Sequence, residues 1–199
     1  MHSKDTGTLA YPLIPCANGE PLMGAIRHDN KGTAVLSPEI ELLLRIIDEG
    51  YNKKSWHGPN LRGAIKGVEF EQAAWRPAAE RHNVWEHVVH AAYWKYIVRR
   101  RLLGEKRGSF PLNGSNWFVR PVVLEARAWL EDLALLEEMH HSMRAAVASL
   151  DPKDLRHVPT GSKVSNAAII SGIAAHDVYH AGQIQLLKRL SGGALAADG

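Results

Sequence analysis

Cysteine is almost missing from this chain: Cys16 stands alone among 199 residues. One thiol cannot close an intramolecular disulfide and cannot build a cysteine-based zinc motif, which fits a reducing cytoplasm. Long apolar runs are missing too. The longest, near residues 167–175, falls far short of the roughly 20 residues that span a bilayer. The N-terminus carries no continuous apolar segment followed by a small-residue cleavage site, so secretion is not indicated. Charge of one sign is scarce, with 24 Lys+Arg against 21 Asp+Glu for a formal net charge of +3. Nucleic-acid binders usually show a larger basic excess. These absences predict a cytoplasmic protein with no membrane and no nucleic acid among its partners. Strand-like alternation of any length is absent as well, which leaves helices as the regular structure.

What the chain does have is helical periodicity. At 45% hydrophobic and 23% charged it has the composition of an ordinary globular domain with a real core. Residues 1–36 scatter glycine, proline and polar residues without a period and read as an irregular leader. Ser37, Pro38, Glu39 and Glu41 form a helix start, with a capping hydroxyl, proline at the first helical position and acids in the first turn, and that helix should run to about Gly50. A connecting region, residues 51–82, holds short apolar pieces suited to brief helical turns. Asn83 caps a second helix ending near Gly104, with Glu86 in the capping-box position. That helix is apolar nearly all round, which marks it as central. A third is expected from about Pro121 to Leu150, striped by Trp129, Leu133, Leu136, His140, Met143 and Val147. A fourth should start at Ser165 or Asn166 and stop at the glycines from Gly192, leaving residues 193–199 as a tail. The expected architecture is an all-α four-helix bundle over residues 37–192, and such bundles build metal sites from inward side chains on facing helices.

The apolar stripe of the last helix is interrupted by imidazoles. Ile169, Ile173, His176, His180, Gln183, Leu187 and Leu190 recur at steps of four and three, so His176 and His180 point where core residues should point. A buried imidazole left without partners costs about 1–3 kcal/mol. Residues four apart can aim both rings at one ion, which accounts for the pair together. A third ligand should come from another helix. His90, near the middle of the central helix, is the first candidate, with His87 as rival and His140 as a further contender. A lone histidine on an apolar stripe is more often a core residue than a ligand, and His140 is read that way.

The segment Gly172-Ile173-Ala174-Ala175-His176-Asp177-Val178-Tyr179-His180-Ala181-Gly182-Gln183-Ile184 resembles the C-terminal signature of the DinB-like (YfiT-like) metalloprotein superfamily. The helix from Asn83 to Gly104 is similar to another part of the family pattern, an acid followed four residues later by histidine, here Glu86 and His90. The stretch from His57 to Gly63 adds to the likeness, and the whole covers most of residues 37–190. The resemblance implies a four-helix bundle, often dimeric, holding a divalent metal on three histidines, and it selects His90 over His87 to join His176 and His180. It also implies thiol-dependent transferases and isomerases among the relatives, with low-molecular-weight thiols as cosubstrates.

A three-histidine metal with open positions suits either a deprotonated thiol or hydrolysis of a small-molecule substrate. Three imidazoles accept zinc, nickel, iron or copper and do not choose among them; the ions expected are zinc or nickel, then iron. A zinc protease would carry glutamate after its first histidine, whereas this chain has Asp177 there, pointing about 100 degrees away round the helix. Gln183, one turn beyond His180, can hydrogen-bond a substrate or sit as a buried amide, and Tyr179 can offer a phenol or pack between helices, with packing preferred. The basic run of Lys95, Arg99, Arg100, Arg101, Lys106 and Arg107 reads as a solvated helix end.

Overall fold

The computed structural model describes residues 27–28 and 34–195 of the chain. Cys16 and most of the expected leader lie outside the described residues. Within them, β1 (Arg27–His28) pairs antiparallel with β2 (Ala34–Val35), so the segment read as wholly irregular contains one minimal ladder. The rest is helical: α1 (Pro38–Tyr51), α2 (Leu61–Ile65), α3 (Phe70–Ala74), α4 (Val84–Leu102), α5 (Ala126–Ala148), a 3-10 turn (Pro152–Arg156) and α6 (Asn166–Leu195).

The four long helices form a bundle in which α4 lies between α5 and α6, while α1 closes the other side against α6 and α5. Local chemistry starts them where the sequence indicates. The Ser37 hydroxyl accepts from the Ile40 amide at 3.3 Å, and Asn83 Oδ1 accepts from the Glu86 amide at 2.8 Å. Ser165 accepts from the amides of Ala168 and Ile169 at the head of α6. Gly50 does not stop α1. It lies inside the last turn, where a Cβ would come within 3.0 Å of the Ala174 carbonyl, so glycine is what lets α1 approach α6.

Two boundaries differ from expectation for tertiary reasons. α5 begins at Ala126 rather than Pro121. The backbone before it is tied to the head of α4: the Arg120 carbonyl accepts from Asn83 Nδ2 at 2.7 Å and from Arg76 Nη2 at 3.2 Å, and the Arg120 amide donates to Glu86 Oε1 at 3.3 Å. At the other end, α6 runs through Gly192 to Leu195. Gln72 of α3 donates to Ser191 Oγ at 2.9 Å, and this anchor on the last turn offsets the helix cost of glycine, about 1 kcal/mol per residue.

The core falls into two clusters. One gathers Trp85, Val88, Val89, Trp129 and Leu136 around α4, and the other gathers Ile40, Ile47, Met143, Ile170 and Ile173 between α1, α5 and α6. Trp85 is fully buried because its indole N–H donates to Asp132 Oδ2 at 2.7 Å, an oxygen that also pairs with Arg120. No helix of the described residues is long and apolar enough to cross a membrane.

Candidate metal centre

α4 and α6 pack side by side, and each aims imidazoles into the seam. His90 Nε2 lies 3.1 Å from His176 Nε2, and His180 Nε2 lies 3.1 Å from the same atom. One ring nitrogen from each of the three residues falls within 4.8 Å of the others. Tetrahedral bonds of about 2.0–2.1 Å to a divalent ion place nitrogens about 3.3–3.4 Å apart, so the two 3.1 Å spacings to His176 are close to what one ion needs. His90 and His180 are buried and His176 is half-buried.

The proton position of His90 agrees with that fit. His90 Nδ1 sits 2.8 Å from the Asn116 carbonyl, which only accepts, so Nδ1 carries the proton and Nε2 of the neutral ring is a free lone pair. Buried His176 Nδ1 has no hydrogen-bond partner among the described residues. Three imidazole nitrogens crowd together with no carboxylate among them, a donor set that suits a divalent cation. Burial, reinforced by the neighbouring His90 and Lys95, holds His176 down at about 4. Burial and the adjacent imidazoles depress His180 further, and burial lowers His90 against the opposing Asn116 hydrogen bond. Near neutral pH all three rings are uncharged and able to ligate.

Supporting groups come from places the sequence does not advertise. Asn116, at φ 65°, points its carbonyl at His90 while its side-chain oxygen accepts from Trp94 Nε1 at 3.0 Å. Trp117 stacks on His90 with ring centroids 3.8 Å apart, and its other face stacks on His82 at 3.6 Å. His82 in turn meets Glu86 at 2.8 Å, and Glu86 also pairs with Arg76. Burial alone would raise the Glu86 carboxyl, but hydrogen bonds from Arg76, His82 and the Arg120 amide bring it below its ordinary value. The capping-box reading of Glu86 therefore holds for its amide, while its carboxylate braces the His82 and Trp117 stack instead.

His87 faces the cluster from behind: its Nδ1 lies 2.9 Å from His180 Nδ1. His140 is elsewhere. It is 1% exposed and stacked on Tyr51 at 3.5 Å, and its buried Nδ1 has no partner among the described residues, so it is a core histidine but an incompletely satisfied one. Tyr179 is 61% exposed, which corrects the expectation that it packs between helices; only its ring edge leans on His180, at 5.0 Å. Gln183 is half-buried one turn beyond His180. Leu190 closes no stripe, since it is exposed.

Lys95 departs most from the sequence reading. It is no part of a solvated helix end, being buried in an ion pair with Asp177 and held 4.9 Å over the Tyr51 ring. Asp177 thus turns away from the imidazoles to join α6 to α4. Of the remaining cations, Arg99 pairs with Glu105 at 2.7 Å.

A family model described as the DinB superfamily matches residues 55–184, a range that takes in all three imidazoles and begins after α1. No curated protein and no solved structure matches the chain.

Proposed function

The chain belongs to the DinB superfamily, and on that premise we propose that it is a metal-dependent enzyme that transfers a small thiol to an electrophile or hydrolyses a small molecule. The observation that carries this reading is the convergence of His90, His176 and His180 on one point. A divalent ion on three imidazoles supplies Lewis acidity, lowering the pKa of a thiol or water that it coordinates toward neutrality. Three imidazoles accept zinc, nickel, iron or copper, and availability often decides among them; zinc or nickel is the ion we assign, with iron next.

The chain's own residues divide the remaining work. Asn116 and Trp117 fix the plane and proton of His90. Gln183 and Tyr179, on α6 beside His180, are the residues we assign to the substrate, Gln183 through its amide and Tyr179 through its exposed phenol. The partner is a small molecule with a low-molecular-weight thiol as cosubstrate, and the protein works in the cytoplasm as a homodimer without nucleic acid. The rival class is a bundle in which the ion only stabilises the fold. A structural ion calls for a fourth protein ligand, and the metal-ligating set among the described residues stops at three.

Elemental analysis of protein purified without added metal, compared with His176→Ala, tests the centre itself. Turnover of model electrophiles with small thiols, or of small hydrolysable esters and amides, then tests the chemistry. Stoichiometric metal lost in H176A, with turnover above that of free metal, is the expected result. Equal metal content in the two proteins defeats the reading, and tight metal without turnover leaves the structural class.

A further inference from the structure

We infer that His87 is the positioning residue for the metal ligand His180, accepting its Nδ1 proton and so leaving its Nε2 free for the cation; this rests on the three-histidine centre proposed above. The argument is proton accounting across one contact. His87 Nδ1 and His180 Nδ1 lie 2.9 Å apart, a distance at which one nitrogen donates and the other accepts. His180 Nε2 faces His176 Nε2 in the cluster and must be bare to ligate. A neutral imidazole carries one proton, so that proton is on His180 Nδ1 and points at His87. His87 is then the acceptor at Nδ1 and bears its own proton on Nε2. The opposite arrangement, with His87 donating, would put the His180 proton on Nε2 and block the site.

Two surroundings make the assignment specific. His87 is 7% exposed and its ring meets Trp117 edge to face at 5.3 Å, so it has little freedom to turn away. His90 receives the matching service from the Asn116 carbonyl at 2.8 Å, so two of the three ligands have a fixed tautomer, one through a loop carbonyl and one through a fourth histidine. Metal-ligating histidines generally donate their second N–H, and removing that acceptor typically costs 10–100-fold in metal affinity. One helix therefore presents both a ligand, His90, and, three residues earlier, the group that sets the ligand on the facing helix.

The test compares His87→Phe, which keeps a ring against Trp117 but has no acceptor, with His87→Asn, whose side-chain oxygen falls near the place of Nδ1. Zinc and cobalt(II) affinities are measured by chelator competition, with helical circular dichroism confirming the fold. We expect H87F to weaken zinc binding about 10–100-fold and to alter the cobalt(II) absorption bands, and H87N to recover most of the affinity. Wild-type affinity in H87F, or a loss in H87N equal to that in H87F, overturns the assignment. Nitrogen-15 NMR of the zinc-loaded wild-type protein reads the tautomers without any substitution: a proton on His180 Nδ1 and on His87 Nε2 supports the proposal, and a proton on His87 Nδ1 overturns it. Wild-type protein that binds neither metal removes the underlying centre, an outcome distinct from intact binding that is indifferent to His87.

Discussion

Lys95 and Asp177 form an ion pair sealed between α4 and α6, with side chains 0% and 1% exposed. Asp177 follows the ligand His176 by one residue, so the pair ties α6 to α4 next to the three imidazoles. Burial pushes Lys95 down and Asp177 up, and the attraction between them opposes both shifts. Asp177 Oδ1 has no partner among the described residues, so the pair is the main compensation for a carboxylate buried in the bundle.

Removing one partner should therefore cost far more than removing both. Lys95→Met leaves a buried, uncompensated carboxylate and is expected to destabilise the protein by about 3–5 kcal/mol in urea unfolding. The double substitution Lys95→Met with Asp177→Leu replaces the pair by apolar bulk and should lose less than K95M alone. A double change as costly as the sum of the two singles would show that the residues do not act on each other.

His140 makes the protein sensitive to acid. Burial, then the nearby Lys95, His141 and Arg144, hold its ring down from 6.5 to about 2. A histidine whose folded pKa is depressed binds its proton more readily in the unfolded chain. Its stabilising neutrality is complete above 6.5 and is lost as pH falls from there toward 2. Urea midpoints of the metal-free protein should fall between pH 7 and pH 4.5, and His140→Leu should flatten that slope by about 1 kcal/mol per pH unit. An unchanged slope in H140L would mean that other groups carry the acid sensitivity.

Asn116 combines a left-handed backbone with two hydrogen bonds, and the two roles separate by substitution. Asn116→Gly keeps the conformation and the carbonyl that holds His90, losing only the bond from Trp94. Asn116→Val adds a β-branched side chain at φ 65°, a strain of about 1–2 kcal/mol. Zinc affinity should stay near wild type in N116G and fall in N116V, as measured by chelator competition. Equal affinities in both would mean that the loop is not what orients His90.

The parts of this molecule that were legible in the sequence are the parts written in local spacing. The four-and-three steps through His176 and His180, the caps at Ser37 and Asn83 and the all-round apolar surface of α4 depend on residues within one or two turns. The rest depends on partners far along the chain. Lys95 looked solvated because Asp177, 82 residues away, is what buries it. Asn116 and Trp117 sit in a glycine-containing loop with no period, and only the folded bundle brings them against His90. α5 begins late because Arg120 is held by the head of α4. His87 was separable from His90 only through the family resemblance, since both lie on one buried helix and spacing does not order them.

Metal removal is the last expectation, and it separates a catalytic ion from a structural one. Trp85, Trp129, Leu136, Met143 and Ile170 are buried at 4% exposure or less in clusters that need no ion to hold them. Small metal-dependent domains unfold when stripped because they lack such a core. Dialysis of this protein against a strong chelator should therefore abolish turnover while far-UV circular dichroism keeps its helical signal. The melting temperature should drop only by the binding contribution, which rises with the logarithm of free metal over Kd. Readdition of zinc or nickel should restore activity to wild-type protein and not to H176A. Collapse of the helical signal on chelation, reversed by metal, would instead assign the three imidazoles to folding.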